Sequence, residues 1–190
     1  PHTNGDFGLR VTGPVALLSG ESYDLGMGNT CLVCHQARRD VAVYITSSNS
    51  INSRYGPHHG PQGDLLLGSN GYEYADYTYT ETQYHRTQNN DGCVNCHMRN
   101  VAYRVGGHTF NVSAYDEEED ETLYNTGACV GCHEDIGDNF DYNGVQTEID
   151  GLLTELQTLL FDAGFVDATG TPVTATGRPA DDAGAIWNFM

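Results

Sequence analysis

The sequence predicts a mostly irregular fold with a few α-helices and short β-strands, packed compactly around a core that side chains alone do not fill. Only 38% of the 190 residues are hydrophobic, and 23 are glycine. A chain of this composition buries too little apolar surface to offset the conformational entropy that is lost on folding. Either part of the chain is disordered, or another apolar body completes the core. The length suits a single domain over residues 1–190.

The charge of the chain excludes two classes of partner. The formal net charge is −18, and only 8 residues are Lys or Arg. Nucleic acids and anionic membrane surfaces are both bound through basic patches, so neither is expected here. No apolar stretch approaches the roughly 18–20 residues of a membrane span. The chain opens at Pro1 without an initiator methionine. We interpret this as a mature exported form after signal cleavage, with an artificial chain boundary as the alternative.

All six cysteines fall in three copies of one motif, C-x-x-C-H, which is the attachment signature of c-type haem. The two thiols add to the two vinyl groups along one edge of the porphyrin, and the adjacent histidine ligates the iron axially. The motif therefore predicts three covalent haem c groups, whose apolar faces would complete the core. The two attachment cysteines and the ligating histidine of each motif are Cys31, Cys34 and His35, then Cys93, Cys96 and His97, then Cys129, Cys132 and His133.

Other cysteine chemistries fit this pattern less well. A dithiol oxidoreductase needs one C-x-x-C and no following histidine. A structural zinc site takes four ligands, and three cysteine pairs do not divide into fours unless histidines are added. Three disulfides would suit an exported chain, but they would leave the histidine after every second cysteine unexplained.

The other histidines are candidates for the second axial ligand of each iron. Methionine is the alternative, but Met27 and Met98 lie too close to their own motifs to reach the opposite haem face. We therefore expect bis-histidine ligation, which gives a lower potential than ligation by histidine and methionine. Of the eight histidines, those outside the motifs are His2, His58, His59, His85 and His108.

Two of these candidates have favourable local sequence. His108 follows Gly106 and Gly107, which would let the backbone approach a flat ring. His58 follows Pro57, which stiffens the loop and reduces the entropy lost when it binds a metal.

The remaining candidates have alternatives. His59 would face away from its neighbour in an extended backbone, and would there bind a second haem or its propionate. His85 lies among polar residues, and would either ligate an iron or hydrogen-bond a propionate. His2 lies at the N-terminus, where it would be useful mainly if it reached another molecule.

The chain resembles multihaem c-type cytochromes of bacteria and archaea. The matching segments run in order: CLVCHQARR, SRYGPHHGPQGDLLLGSNGYEY, CVNCHM with GGHTF downstream, TGACVGCH, and DYNG before a Leu-rich helix. The resemblance implies that His58 and His108 are distal ligands. Relatives often continue to a further histidine, whereas this chain stops at Met190. One of His59, His85 or His2 would then replace that ligand, or one iron is open.

Some cytochromes of this kind polymerise into extracellular filaments, in which a histidine of one subunit ligates a haem of the next. The resemblance thus implies head-to-tail self-association, because a heterologous contact that does not close produces a fibre. His2 would suit the role of the ligand that crosses the joint.

One clear amphipathic helix is predicted near residues 144–163. We expect its apolar face to pack over a haem and its neighbours, and we expect short helical turns around each C-x-x-C-H. The apolar face consists of Val145, Ile149, Leu152, Leu153, Leu156, Leu159 and Leu160.

Weaker patterns cover the rest of the chain. Residues 41–48 and 101–105 predict short strands, and residues 72–82 predict a strand or an extended surface segment. Residues 169–190 predict an irregular tail, with Trp187 and Phe189 packed on a haem or a neighbouring subunit. The acidic residues 116–121 predict a solvated loop. Calcium could bind there or at residues 138–144, since hard cations take carboxylate oxygens.

These features predict an electron-transfer protein rather than an enzyme. It would serve in an extracellular conductive filament or as a soluble extracytoplasmic carrier, with other redox proteins or extracellular acceptors as partners. We expect it outside the cell or at the cell surface, with the periplasm as the alternative. The alternative function is reduction of nitrite or hydroxylamine at one open haem, which would need nearby groups that handle protons.

Overall fold

The computed structural model of the chain describes residues 8–46, 49–57, 60–79, 84–99 and 104–190. Three of the histidines singled out above, His2, His58 and His59, lie outside these residues. Within them, short helices and strands alternate with long irregular stretches, as the composition predicts. The α-helices are α1 (Asn29–Leu32), α2 (Val41–Tyr44), α3 (Gln62–Leu67), α4 (Tyr84–Gln88), α5 (Cys93–His97), α6 (Val145–Asp162) and α7 (Ala180–Phe189).

The strands form three antiparallel pairs, β1 with β2, β3 with β6, and β4 with β5. The pair of β3 and β6 joins distant parts of the chain, since Ser50 lies opposite Thr176. Turns of 3-10 helix cover Gly26–Gly28, Gly107–Thr109, Thr126–Ala128 and Tyr142–Gly144. The strands are β1 (Val15–Ala16), β2 (Ser22–Tyr23), β3 (Ser50–Ile51), β4 (Ser113–Asp116), β5 (Glu121–Tyr124) and β6 (Ala175–Thr176).

Two small clusters of buried side chains form the apolar interior of the described chain. The first lies beneath the start of the chain and consists of Val15, Leu17, Leu25, Leu32 and Leu67. The second, which we call the Trp187 cluster, consists of Ile51, Tyr55, Ala183, Ile186 and Trp187. The Trp187 ring lies 5.8 Å from the rings of both Tyr44 and Tyr55, and its Nε1 donates to the Asn70 carbonyl at 2.9 Å.

The predicted strand at residues 41–48 is wrong, because Val41–Tyr44 forms the helix α2. The Asp40 side chain accepts a hydrogen bond from the Ala42 amide at 2.9 Å. This N-cap satisfies an amide that a helix start otherwise leaves unpaired, and it outweighs the β-propensity of the valines. Residues 47–48 lie outside the description.

Two other strand predictions fall partly outside the described residues. Of residues 101–105, only Arg104, in a turn, and the buried Val105 are described. Residues 72–79 form no strand, so the extended surface segment is the better of the two predicted alternatives. Residues 80–82 lie outside the description.

The prediction of an irregular tail at residues 169–190 is also wrong, because it contains β6 and the helix α7. Pro179 occupies the cap position of α7, and Asp181 and Asp182 lie in its first turn, where carboxylates favour a helix start. Trp187 packs on tyrosines of its own chain, rather than on a haem or a neighbouring subunit as predicted. Phe189 is half-buried.

The helix predicted near residues 144–163 is confirmed as α6. The Asp141 carboxylate caps its start, accepting from the Gln146 amide at 2.7 Å and from the Thr147 hydroxyl at 2.6 Å. Leu160 is the buried member of the apolar face, and packing of this face over a haem stays a prediction. Its exposed members are Val145, Ile149, Leu152, Leu153 and Leu159.

The acidic residues form the tip of a hairpin between β4 and β5. Residues 117–120 are an exposed turn, which confirms the solvated loop, while Asp116 and Glu121 belong to the strands. Among the helices of the described ranges, none has both the length and the apolar character needed to cross a bilayer.

Candidate functional site

Each C-x-x-C-H motif forms one helical turn. The Cys31 carbonyl accepts from the Cys34 amide at 3.0 Å and from the His35 amide at 2.9 Å, and the third motif repeats this pattern at the same distances. The second motif coincides with α5. In such a turn, side chains at i, i+3 and i+4 share one face. The predicted helical turns are confirmed, and both cysteines and the histidine of each motif point to one side.

The residues fit covalently attached haem c. All six cysteines are free thiols, and Cys34 and Cys132 are exposed while the others are half-buried. Thiols that reach the surface of a turn are accessible to the vinyl edge of a porphyrin, and the adjacent imidazole is held where it can ligate the iron.

The first motif is fixed by α3. Gln62 Oε1 lies 3.1 Å from His35 Nδ1, and the Gly63 amide donates to the His35 carbonyl at 2.7 Å. A side chain at position 63 would collide with Leu32, so this approach requires glycine. Because Gln62 Oε1 can only accept, His35 Nδ1 carries the proton, and Nε2 is left free to bind a metal.

The second motif is fixed in a similar way by the segment that carries His108. His97 Nδ1 lies 2.8 Å from the Phe110 carbonyl, which again leaves Nε2 free. Gly106 has a φ of +76°, and a side chain there would collide with the Arg99 carbonyl. The close approach expected at Gly106 is thus to the chain's own backbone. His108 is exposed on the 3-10 turn that lies between Gly106 and Phe110.

The third motif is surrounded by aromatic rings. The ring centre of His133 lies 4.3 Å from that of Tyr142 and 6.0 Å from that of His85. Tyr142 is positioned by the turn that precedes α6, and His85 by the helix α4. The structure therefore brings one of the five extra histidines to a haem-attachment motif.

The second motif lies between the other two. The thiols of Cys31 and Cys93 are hydrogen-bonded neighbours; burial raises the pKa of Cys93, and Cys31 raises it further. Burial likewise raises the pKa of Cys96, and the nearby Cys129 adds to the effect. The three turns thus follow one another in space in the order of the sequence.

Polar contacts reinforce this order. The Met27 amide, just before the first motif, donates to Asp91 Oδ1 at 3.2 Å, just before the second. Asn125, just before the third motif, is fully buried, and its Nδ2 donates to the carbonyls of Cys96 at 3.2 Å and Arg99 at 3.0 Å. Both ends of the second turn are therefore tied to a neighbouring turn.

Several of these positioning residues were not identified from the sequence. Local sequence patterns do not reveal these residues. Gln62 and Asn125 contact motifs that are distant in the sequence, and Tyr142 reaches His133 only because the chain turns between them. One signal in the sequence could have pointed to Asn125. An asparagine lies shortly before both the first and the third motif, and Asn29 and Asn125 are both fully buried.

A cavity of about 760 Å³ lies beside the loop that contains residues 58–59. Its walls include Pro57, Pro61, Asp64, Trp187 and Met190. Among the described residues, its lining contains no cysteine and no histidine. In the described ranges, no group of three or more His, Cys, Asp or Glu side chains could hold a metal ion, and calcium binding at residues 116–121 or 138–144 gains no support.

The comparisons with known proteins point to cytochromes. C-type polyheme cytochrome OmcC of Geobacter sulfurreducens is 29% identical over 136 residues, which are 64% of this chain and 17% of that protein. C-type polyheme cytochrome OmcB, from two strains of the same species, is 27% identical over 123 residues, 58% of this chain and 16% of OmcB. The chain thus spans about a sixth of the length of these relatives.

No family model matches the chain, and no solved structure matches it either. The similarity to the polyheme cytochromes supports a multihaem c-type cytochrome, and the three C-x-x-C-H turns fit that class.

Proposed function

We propose that the chain transfers electrons through three covalently bound haem c groups and does not act as an enzyme. The observation that carries this proposal is the contact between successive attachment turns, through Met27 and Asp91 and through Asn125 and the Cys96 carbonyl, with the thiols of Cys31 and Cys93 close together. Thiols that touch across two motifs would attach the edges of successive haems close together. The result is a continuous path with the second haem in the middle.

The iron of a bound haem supplies the one-electron redox couple, and the residues of the chain fix its ligands and surroundings. Gln62 and the Phe110 carbonyl accept the Nδ1 proton of a proximal histidine. Such a bond orients the imidazole and raises its basicity, which favours the ferric iron. These contacts hold the potentials of the first two haems low.

We assign the second axial ligands to histidines, with His58 and His108 as the first two. The described residues on both sides of the loop with His58 and His59 are held at the first motif. The Arg38 amide donates to the Pro57 carbonyl at 3.3 Å, and Gln62 contacts His35. His108 lies two residues before Phe110, which contacts His97. His59, His85 and His2 are the candidates for the third ligand.

We place the protein outside the cell or at its surface, as a subunit of a head-to-tail filament, with a single soluble carrier as the other form. Its partners would be other redox proteins or extracellular electron acceptors. The exposed apolar residues of α6 support self-association, because monomeric proteins rarely expose a large contiguous apolar patch. If neither His59 nor His85 supplies the third ligand, His2 would ligate a haem of the neighbouring subunit in the filament.

The first experiment counts haems and ligands in the purified, haem-loaded protein. We expect the mass of the intact protein to include three haem groups, and the ferric protein to show only low-spin signals by electron paramagnetic resonance. A high-spin signal that changes on addition of nitrite or cyanide would instead favour a reductase with an open iron. Fewer than three attached haems would contradict the proposal.

The second experiment addresses assembly. Electron microscopy of the native protein should show filaments. Replacement of His2 with alanine separates the candidates for the third ligand: it should shorten or abolish the filaments only if His2 crosses the joint, and should leave them unchanged if His59 or His85 supplies that ligand. Discrete particles under all native conditions would contradict the filament and would favour the single soluble carrier.

A further inference from the structure

We infer that His85 and His133 are the two axial ligands of one iron, that of the haem attached at Cys129 and Cys132. This inference rests on the proposed function and deepens it, because it selects the third distal ligand among His59, His85 and His2. With His85 in this role, the third iron is closed within a single chain, and no histidine from a neighbouring subunit is needed for it.

The distance between the two rings is the spacing that a shared metal requires. Imidazole nitrogens bind metal ions at about 2.0–2.1 Å. For ring bonds near 1.33 Å, the ring centre lies about 1.1 Å behind the nitrogen. Two imidazoles on opposite sides of one metal ion therefore have centres about 6.3 Å apart. The centres of His85 and His133 are 6.0 Å apart.

The relative rotation of the rings is also compatible with a shared iron. The planes of His85 and His133 make an angle of 61°. Each ligating ring is free to rotate about its bond to the metal, so axial ligation sets the distance between the rings and leaves this angle variable. Tyr142, 4.3 Å from His133, packs against the proximal ring and fixes its rotation.

Apolar burial does not explain why His85 lies there. Helix α4 has no buried residue among its five, and His85 itself is exposed. A hydrogen bond between the rings would bring two nitrogens within about 3.2 Å, and the ring centres then within about 5.4 Å. The centres are 6.0 Å apart, so the rings are not hydrogen-bonded to each other directly. An edge-on ring contact alone is the competing explanation, since aromatic pairs span about 4.5–7 Å.

The neighbouring residue explains how α4 is held in place. Arg86 donates to the Leu67 carbonyl at 3.0 Å and to the Tyr23 hydroxyl at 3.4 Å, and its guanidinium lies 5.5 Å from the Tyr23 ring centre. These contacts anchor α4 to the part of the chain around the first motif. His85, next in the sequence, extends from this anchor to the third motif.

The test replaces His85 in the haem-loaded protein and measures the spin state of the irons. In His85→Ala, we expect three attached haems, of which one becomes high-spin, and we expect added imidazole to restore the low-spin state. In His85→Met, we expect all irons to stay low-spin and one of the three midpoint potentials to rise, since methionine ligation raises the potential. Tyr84→Ala, on the same helix and 79% exposed, is the matched control and should change neither.

Assignment to the third haem uses the double variant Cys129→Ser/Cys132→Ser, which lacks that haem. In this background, His85→Ala should produce no high-spin iron. A high-spin signal there would show that His85 serves another iron, and would overturn the assignment. Three low-spin irons with unchanged potentials in His85→Ala would also overturn it. The position of His85 would then be explained by a contact with a haem propionate or by the ring contact with His133 alone.

The outcomes for the two proposals are distinct. If the wild-type protein carries fewer than three haems, the proposed function fails. If it carries three and His85→Ala leaves them unchanged, only the ligand assignment fails.

Discussion

The Trp187 cluster and the three cysteine turns are held together by different means. The Trp187 cluster is built from apolar side chains, with Ile51, Ala183 and Ile186 all fully buried. The cysteine turns are joined by hydrogen bonds that Asn125 donates and that Asp91 accepts, and by neighbouring thiols, while their histidines are exposed or half-buried. The Trp187 cluster therefore owes its stability to its own side chains, whereas the order of the turns would, under the proposed function, depend on the haems that their cysteines attach.

This difference explains how a chain with 38% hydrophobic residues can be ordered. Buried apolar side chains cluster where α7 packs near β3 and β6, and a second cluster, which includes Leu32, supports the first motif. Loss of a haem should therefore disturb the turns and spare the Trp187 cluster, while damage to the cluster should have the opposite effect.

The largest effect is expected from removal of the middle haem. Cys93→Ser/Cys96→Ser removes the attachment site that contacts both neighbours, so electron exchange between the remaining haems should be nearly abolished. Cys129→Ser/Cys132→Ser is the matched control, because it leaves two adjacent haems and should preserve exchange between them. Transient absorption after rapid photoreduction measures both rates, with haem counts checked by mass. Equal rates in the two variants would refute the linear order.

The second effect concerns the Trp187 cluster. Trp187→Ala leaves a cavity and also an unpaired Asn70 carbonyl, so we expect the free energy of unfolding to fall by about 3–5 kcal/mol. Leu159→Ala, at a residue that is 60% exposed, should change it by no more than about 0.5 kcal/mol. Urea unfolding followed by far-ultraviolet circular dichroism measures both. If the haem absorption changes together with the helical signal, the two regions are not independent.

A smaller effect is expected from the residue that orients the first proximal histidine. Gln62→Ala removes the acceptor at His35 Nδ1, which lowers the basicity of the imidazole and destabilises the ferric iron. A bond worth about 0.5–1.5 kcal/mol corresponds to a rise of roughly 20–65 mV in one potential. Gln62→Glu supplies a stronger acceptor and should lower the same potential. A redox titration measures this midpoint potential. A shift of the potential in the same direction in both variants would contradict this role of Gln62.

The smallest effect is expected for the stability of the helix α6, which should depend on pH through the capping carboxylate of Asp141. Hydrogen bonds from the Thr147 side chain, and then from the Thr147 and Gln146 amides, hold the pKa of Asp141 below its usual value of 3.8. The contribution of this carboxylate is therefore present above pH 3.8 and is lost as the pH falls through the lower value in the folded state. The helical signal of the wild type should decrease in that range. In Asp141→Asn, the decrease should be smaller, and an unchanged decrease would exclude Asp141 as its source.

The local features of the fold could be predicted from the sequence. The helix α6 follows from a continuous apolar periodicity, and the helical turns follow from the chemistry of C-x-x-C-H. The strand predicted at residues 41–48 failed because one side chain, Asp40, determines the start of a helix there. The prediction of an irregular tail was wrong because Trp187 is buried by residues 51 and 55, which are far away in the sequence.

The sequence predicts the attachment residues but not their surroundings. The cysteines and histidines of each motif are adjacent in the sequence, so their spacing alone suggests their role, which stays a prediction. Gln62 is 27 residues from His35, and Asn125 is 29 residues from Cys96. Such contacts depend on the path of the chain between turns. The polar surroundings of His85 gave no sign that it lies beside His133, while the places of His58, His59 and His2 stay predictions.

The contact between Cys31 and Cys93 has a consequence for the maturation of the protein. Two free thiols from different motifs that lie side by side are candidates for a mispaired disulfide in an oxidising compartment. Such a cross-link would block both vinyl additions at once. Burial keeps the pKa of Cys93 high, so that little of the reactive thiolate forms and the cross-link develops slowly. If the chain is exported and loaded with haem as proposed, the time for which its thiols are kept reduced before loading would decide how much of it becomes functional.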